Sequence, residues 1–203
     1  MNIKNLLKLC FALCSVGMIF ISCRDKEPEP KKISVPNNPE GVVINGIRWA
    51  TCNVGSSGAF VSSPEIYGEL YTWGDAPGAC PAGWRLPTYA ELVSLAGAPN
   101  EWVSVNGIKG RVFGSDADII FLPAAGYNSY GGTKGGVGSF GYYWSCTAAD
   151  EPLACCLDFY NNGVFTFNSN NPKTPNSRNR AFLYSLRCVV DLDVEPEPEP
   201  ELE

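Results

Sequence analysis

Cysteine is the residue type in this sequence that most directly suggests chemistry. The 203-residue chain contains 9 Cys and no His. Histidine is the usual general base and a common metal ligand near neutral pH, so its absence excludes Ser-His-Asp and Cys-His catalysis within the chain, and the usual His-containing zinc sites. The cysteines are left with three roles to consider: lipid attachment, disulfide formation, and service as metal-binding or catalytic thiols.

The N-terminal segment places one cysteine in a position typical of lipid attachment. After two early lysines, residues 9–21 form an apolar run of 13 residues, which is too short to cross a bilayer as a helix. The sequence Phe-Ile-Ser-Cys at 20–23 resembles a bacterial lipobox, where signal peptidase cuts before the cysteine. We therefore expect 1–22 to be a lipoprotein signal peptide and Cys23 to carry the lipid. The alternative is a plain secretory signal followed by an incidental cysteine.

Export would place the other cysteines in a compartment that permits disulfides. Six lie in the domain that follows, namely Cys52, Cys80, Cys146, Cys155, Cys156 and Cys188. There is no Cys-x-x-Cys pair, and the adjacent Cys155 and Cys156 would point to opposite faces of a strand. This arrangement favours structural disulfides over a metal cluster or catalytic thiols, although the spacing does not choose among the many possible pairings.

Charged, proline-containing segments flank the domain at 41–190. Residues 23–40 contain four prolines among charged and polar residues, so we expect a disordered tether that holds the domain away from the membrane. Residues 191–203 are dominated by alternating Glu and Pro, which resists both helix and sheet, so we expect a disordered tail.

The distribution of charge bears on partners and location. The chain has a formal net charge of −6, whereas 41–190 contains ten Asp or Glu and nine Lys or Arg, a net of −1. A nearly neutral domain gives no support for nucleic-acid binding through a basic face. Position 24 is Arg rather than the Asp that retains some lipoproteins in the inner membrane, and Asp-Lys-Glu at 25–27 resembles surface-export signals of Bacteroidetes lipoproteins. We therefore expect anchoring in the outer membrane or at the cell surface.

Short strands and one helix are predicted to position the domain's side chains. The dipeptide Asn45-Gly46 predicts a tight hairpin between two strands within 41–50. Thr88 followed by Glu91 forms a capping box, and apolar residues at helical spacing continue the helix to Gly97. Further strands are predicted at 70–73, 119–122, 142–146, 155–160, 164–167 and 184–190, with a turn at 161–163. The sum is an α+β domain with long loops.

Six blocks of the domain, taken in order, resemble a known family. They are Trp-Ala-Thr at 49–51 with Asn-Val-Gly at 53–55, Gly-Glu-Leu-Tyr-Thr-Trp-Gly-Asp-Ala at 68–76, Cys-Pro-Ala-Gly-Trp-Arg-Leu-Pro-Thr at 80–88, Phe-Leu-Pro-Ala-Ala-Gly-Tyr at 121–127, Gly-Tyr-Tyr-Trp-Ser at 141–145 and Leu-Arg-Cys-Val at 186–189. This pattern resembles the Fibrobacter succinogenes major paralogous domain family, which is similar to C-type-lectin-like domains. The resemblance implies short antiparallel sheets, one or two helices and long loops, in exported or surface lipoproteins of anaerobic bacteria.

The resemblance also implies a disulfide between Cys80 and Cys188, which match the family's recurrent cysteine pair. Cys146, Cys155 and Cys156 depart from the family pattern, and we expect one of the last two to bond Cys146. Cys52 is also outside the pattern, and its state is left open.

Ligand contacts are expected in a loop rather than among the motif tryptophans. Four tryptophans lie in strand-like blocks, where large side chains most often fill the core, namely Trp49, Trp73, Trp84 and Trp144. The glycine-rich loop 124–140 instead carries side chains that suit an adaptable binding surface. They are Tyr127, Asn128, Tyr130 and Lys134. A flexible loop without a ligand is the alternative.

No calcium-dependent sugar site is expected, although the lectin resemblance invites one. Glu151-Pro152 is followed by Leu153 rather than Asn or Asp, and the sequence contains no Trp-Asn-Asp triplet. The remaining candidate carboxylates have a spacing that matches no calcium loop; they are Asp116, Asp118, Asp150 and Asp158. We expect no obligatory metal and no cofactor.

These features favour a lipid-anchored binding or adhesion module of the cell envelope, without enzymatic activity, whose partner is a glycan or a host or envelope protein. A purely structural envelope protein is one alternative. A lectin-fold, oxidase-like enzyme is another, because a sulfatase-modifying oxidase uses a lectin-like scaffold with paired cysteines. Against the enzyme, the sequence shows no recognisable catalytic constellation.

Overall fold

The structure, a computed structural model, describes residues 33–168 and 171–190. The predicted signal peptide, the lipid site Cys23, most of the tether and the acidic tail lie outside the described residues. Among the described residues, no helix combines the length and the apolar character needed to cross a bilayer.

Short antiparallel strands dominate the described chain. The strands are β1 Val42–Ile44, β2 Ile47–Trp49, β3 Trp84–Arg85, β4 Asn100–Val105, β5 Ile108–Ser115, β6 Asp118–Pro123, β7 Tyr127–Asn128, β8 Lys134–Gly135, β9 Gly141–Ala148, β10 Leu153–Tyr160, β11 Gly163–Phe165, β12 Phe167–Asn168, β13 Asn171–Pro175, β14 Ser177–Asn179 and β15 Val189–Val190. Helix α1 spans Tyr89–Ala96, and a 3-10 turn spans Ala76–Gly78. The predicted α+β class with short antiparallel sheets is confirmed.

Three sheets and α1 enclose the main core. The first sheet has the order β1-β2-β15-β3, and the second is the meander β4-β5-β6. In the third sheet, β10 pairs with β9 on one edge and with β11 and β14 on the other. Leu92 and Leu95 of α1 pack with Phe113 of β5, Ile120 of β6 and Phe159 of β10, all buried. The third sheet therefore has one face on this core.

Asparagine-glycine turns set two of the hairpins. Asn45 and Gly46 both have positive φ, 51° and 79°, as a type I′ turn requires, and the predicted hairpin is confirmed as β1 and β2. Asn106 and Gly107 have the same conformation, with φ of 49° and 83°, and join β4 to β5. This second hairpin was not predicted, although the same dipeptide marks it.

The predicted strands at 70–73 and 184–190 are less regular than expected. Tyr71 forms only an isolated bridge with Tyr184, and the last strand is limited to Val189–Val190. The reason is that successive backbone groups before β15 form hydrogen bonds with different segments of the chain. Tyr184 N–H donates to the Tyr71 carbonyl, whereas Ser185 N–H donates to the Tyr142 carbonyl. No single neighbouring strand accompanies the whole segment, so a continuous ladder does not form.

The end of the predicted tether packs on the domain. Ile33 and Val35 are partly buried against a small cluster that contains Val105, Val112 and Phe121. These apolar side chains bury surface that a disordered tether would leave in water. Residues 33–40 therefore belong to the folded unit.

One predicted disulfide is confirmed and the other is wrong. Cys80 and Cys188 are bonded across a sequence separation of 108 residues. The predicted bond from Cys146 to Cys155 or Cys156 does not form, because all three are free thiols. A bulge shifts the register of β9 and β10 at this point, so that Cys156 lies opposite Trp144 rather than Cys146. Cys146 is exposed while the other two are buried, which places the sulfur atoms in different environments.

The motif tryptophans pack in the core, as predicted. Trp49 and Trp144 are fully buried. Trp73 and Trp84 are half-buried and pack against a second apolar cluster, which also contains the Cys80–Cys188 disulfide. The Trp73 indole N–H donates to the Ser145 carbonyl at 2.9 Å. These contacts give the tryptophans a structural role.

Helix α1 begins with the predicted capping box. The Glu91 backbone N–H donates to Thr88 Oγ1 at 3.2 Å, and Glu91 Oε2 accepts from the Thr88 backbone N–H at 2.7 Å. Glu91 also accepts two hydrogen bonds from Arg85, both of 2.9 Å. Burial raises the pKa of Glu91, but Arg85 and Thr88 outweigh it and hold the pKa below its usual value.

We expect Glu91→Gln to lower the free energy of unfolding by about 0.5–1 kcal/mol at neutral pH, because glutamine keeps the cap but loses the bidentate ion pair. A carboxyl with a lowered pKa stabilises the fold above its unfolded-state pKa and loses that contribution as pH falls through the folded-state pKa. The difference between the two proteins should therefore shrink in acid. Urea unfolding of both proteins, at neutral pH and at pH values below the ordinary pKa of glutamate, measures this difference. Glu101→Gln is the control, because Glu101 is exposed. A difference that is independent of pH would contradict the ion-pair explanation.

Candidate ligand-binding cleft

The glycine-rich loop that was predicted to bind a ligand is an ordered hairpin. Strands β7 and β8 pair Tyr127 with Gly135 and Asn128 with Lys134. Gly126 has a φ of 70°, and a β-carbon there would lie 2.2 Å from the Gly135 carbonyl oxygen, so the close approach requires glycine. Gly126 therefore serves the packing of the hairpin.

Three of the four predicted ligand residues come together. Tyr127, Asn128 and Lys134 line one cavity of about 420 Å³, together with the chain at 67–70. Tyr130 is 87% exposed near the end of the hairpin and does not line that cavity.

A different cleft is built on the third sheet. Tyr142 of β9 and Phe165 of β11 both lie directly opposite Asp158 of β10. Paired residues of neighbouring antiparallel strands share a face of the sheet, so these three side chains emerge together. We call the resulting cavity the Asp158 cleft. It encloses about 220 Å³ and is lined by Phe140, Tyr142, Asp158, Tyr160, Phe165, Phe167, Asn176 and Arg178.

Alternation along β10 separates the cleft from the core. Leu157 and Phe159 face the main core, where they pack with Tyr143 of β9. Asp158 and Tyr160 point to the other face and line the cleft. Because side chains of a strand alternate between the two faces, a fixed core face also fixes which side chains enter the cleft.

An ion pair forms the floor of the cleft. Asp158 Oδ2 accepts a hydrogen bond from Arg178 Nη2, and the side chains are 8% and 42% exposed, respectively. Burial raises the pKa of Asp158, and the adjacent Arg178 guanidinium opposes that rise. Buried Asn176 completes the floor and donates from Nδ2 to the Phe165 carbonyl at 3.3 Å. The floor thus has fixed donors and acceptors, and its two charges cancel.

The Cys156 thiol beneath the cleft belongs to the same network. It is fully buried and donates to Asp158 Oδ1 at 3.3 Å. Burial raises its pKa well above the ordinary value, and Asp158 adds to the rise. The sulfur is therefore a protonated thiol near neutral pH rather than a thiolate nucleophile.

Aromatic rings form the walls of the cleft. The rings of Tyr160 and Phe165 stack with centroids 4.7 Å apart, and Phe140 contacts Tyr160 at 5.6 Å. Phe140 is 39% exposed and Phe167 is 45% exposed. Burial raises the pKa of Tyr142 to about 12, so its hydroxyl remains a hydrogen-bond donor at neutral pH. The cleft combines apolar walls with a polar floor, which suits a small ring with one apolar face and polar edges.

Apart from Phe140, the last residue of the loop 124–140, the cleft residues lie outside the segment that was predicted to contact a ligand. Part of the signal was present, because the predicted turn at 161–163 places Asp158 opposite Phe165 once the two strands are paired. The approach of Tyr142 and Arg178 had no such local signal, since they come from β9 and β14.

Comparisons of the chain with protein-family models, with curated proteins and with solved structures gave no match. The family resemblance described from the sequence blocks therefore stays a prediction.

Proposed function

We propose that this chain is a binding module of the bacterial cell envelope, anchored by lipid at Cys23, that recognises a glycan in the Asp158 cleft. The observation that carries the proposal is the combination of aromatic walls with a charge-balanced polar floor. A pyranose ring has an apolar C–H face that stacks on aromatic rings, and hydroxyl groups that both donate and accept hydrogen bonds. Asp158, Asn176 and Arg178 provide partners of both kinds.

The residues of the cleft support a protein that binds its ligand better than an enzyme that modifies it. The chain has no histidine. The Cys156 thiol is protonated and buried beneath the floor, and it already donates to Asp158. An oxidase-like activity in the Asp158 cleft would require a reactive thiol there, and the contacts of Cys156 oppose one.

The proposed architecture is C-type-lectin-like. Support comes from the short antiparallel sheets beside helix α1. Further support comes from the Cys80–Cys188 disulfide, which joins the segment before β3 to the residue before β15. The proposed sugar contacts are nevertheless independent of calcium, because Asp158 is already paired with Arg178. Addition of EDTA should therefore leave binding unchanged.

The first experiment is a glycan array probed with the purified full-length protein, followed by calorimetry on the glycans that bind. We expect Phe140→Ala and Phe167→Ala each to weaken binding by about tenfold, because each removes an exposed ring from the cleft wall. Both side chains are only partly buried, so each variant should lose less stability than a core Phe→Ala substitution, and urea unfolding checks that it remains folded.

Tyr130→Ala is the matched control, since it removes an aromatic ring that is 87% exposed and lies outside the cleft. Equal loss of binding in Tyr130→Ala would contradict the assignment of the site to the cleft. If arrays, host matrix proteins and pull-downs from the native envelope all show no saturable binding, the structural alternative replaces this proposal.

A further inference from the structure

The Asp158 cleft continues into two neighbouring cavities. A cavity of about 210 Å³ is lined by Tyr127, Phe182 and Tyr184, and it shares Tyr142 and Arg178 with the Asp158 cleft. Tyr127 also forms part of the wall of the 420 Å³ cavity beside the β7–β8 hairpin, which we call the far cavity. Because successive cavities share wall residues, the cavities of 220, 210 and 420 Å³ lie next to one another in a row. We call this row the three-cavity groove.

A chain of ring contacts runs along the groove. Phe140 contacts Tyr142 with centroids 6.2 Å apart, and Tyr142 stacks on Tyr184 at 4.8 Å. Tyr127 contacts Tyr142 at 5.7 Å and Phe182 at 5.9 Å. Apart from Tyr184, these rings are all partly exposed. A ligand that follows the groove would therefore meet aromatic surface beyond the Asp158 cleft.

The far cavity offers an unused hydrogen-bond acceptor. Asn128 lines this cavity, and its Oδ1 is buried without a hydrogen bond from any described residue. An unsatisfied buried polar atom costs stability unless something else supplies the partner. A ligand hydroxyl in the far cavity would supply it once the Asn128 amide turns toward that cavity.

The volume of the Asp158 cleft and the net charge of the groove restrict the class of ligand. The Asp158 cleft alone, at about 220 Å³, is smaller than the roughly 300–1,000 Å³ of pockets that hold drug-sized ligands, so it has room for a single small ring. The charged side chains that line the groove are Asp158, Arg178, Glu69 and Lys134, which sum to zero. A neutral ligand longer than one ring fits both observations.

The position of the groove favours a glycan over an extended peptide. Peptides that add to a sheet bind along an unpaired strand edge through backbone hydrogen bonds. Here the Asp158 cleft lies on the face of the third sheet, and β10 is paired on both edges. Recognition must then come from side chains, through ring stacking and hydroxyl contacts.

We infer that the three-cavity groove binds a linear, neutral oligosaccharide, with successive sugar units in the three cavities. This inference rests on the proposed glycan-binding function and adds the length and charge of the ligand. Affinity is expected to rise with chain length, because each further unit adds stacking and hydrogen bonds.

Calorimetry with cello-, xylo-, manno- and chito-oligosaccharides, from monosaccharide to hexasaccharide, tests the inference on the full-length protein. For the series that binds, we expect affinity to rise by about tenfold from monosaccharide to tetrasaccharide, equivalent to roughly 1.4 kcal/mol. Phe182→Ala and Asn128→Ala should each reduce the ratio of tetrasaccharide to monosaccharide affinity.

Asn128→Ala also separates a binding role from a structural one. Because it removes an unsatisfied buried acceptor, it should leave stability unchanged or raise it while weakening tetrasaccharide binding. Tyr130→Ala, outside the groove, is the control for both measurements.

Two results would overturn the inference and leave the proposed function standing. One is equal affinity for the monosaccharide and the hexasaccharide. The other is binding of a charged or branched glycan from the array with no binding of any neutral linear series. Saturable binding of peptides in place of all saccharides would overturn both the inference and the glycan function.

Discussion

Replacement of Arg187 by methionine is expected to lower the free energy of unfolding by about 3–5 kcal/mol. Arg187 is fully buried. Its guanidinium donates to Asn53 Oδ1 at 3.0 and 2.7 Å, to the Ala50 carbonyl at 3.0 Å and to the Phe121 carbonyl at 2.9 Å. Burial lowers its pKa, yet a guanidinium remains charged at neutral pH. The charge is tolerated because it is surrounded by oriented acceptors.

Methionine keeps most of the side-chain volume but leaves these acceptors buried and unpaired. Arg187→Lys should fall between the wild type and Arg187→Met, because an ammonium cannot reproduce the planar fork of donors. Urea unfolding followed by tryptophan fluorescence measures the change. Arg48→Met is the matched control, since Arg48 is exposed on β2 and its loss should matter little. A loss below about 1 kcal/mol for Arg187→Met would show that the network does not hold the fold together.

Loss of the Cys80–Cys188 disulfide is expected to have an effect of similar size. The bond closes a loop with a sequence separation of 108 residues, for which the loop-closure model gives about 4–5 kcal/mol. Domains are typically stable by only about 5–15 kcal/mol, so a large share of the stability depends on this bond. The double variant Cys80→Ala/Cys188→Ala should therefore unfold at a much lower urea concentration.

A reducing agent provides an internal check on the disulfide prediction. The wild type should lose stability in reductant, whereas the double variant should not respond. Cys146→Ser is the control, because Cys146 is a free, exposed thiol. Alkylation of the native protein should modify Cys146 and spare Cys52, Cys155 and Cys156, which are buried. Resistance of Cys146 and of Cys155 or Cys156 to alkylation in the unfolded, unreduced protein would instead support the second disulfide.

Local sequence signals predicted the elements whose formation depends on neighbours in the chain. The capping box at Thr88 and Glu91 begins α1, and Asn45-Gly46 forms the first hairpin. These succeeded because a cap or a tight turn is decided by a few consecutive residues. The segment at 184–188 was predicted as a strand and is not one, because its backbone partners come from distant parts of the chain.

The two predicted disulfides show the same difference between features that a sequence block indicates and features that depend on strand pairing. The Cys80–Cys188 bond followed from the resemblance of two sequence blocks, and it is present. The bond predicted for Cys146 depended on the register of β9 and β10, and a bulge between these strands moved the partners apart. A shift in register changes every facing pair beyond it, and no local pattern specified that shift.

The sequence by itself determined the class of the domain, its near-neutral charge and the exclusion of histidine chemistry, and the resemblance of two sequence blocks added the Cys80–Cys188 disulfide. Only the tertiary structure brought together the residues of the proposed binding cleft. The Asp158 cleft joins side chains of β9, β10, β11 and β14, and its floor depends on an ion pair between residues 20 positions apart. Such a site arises from strand pairing and from the burial of one sheet face, and both are properties of the assembled fold rather than of any short segment.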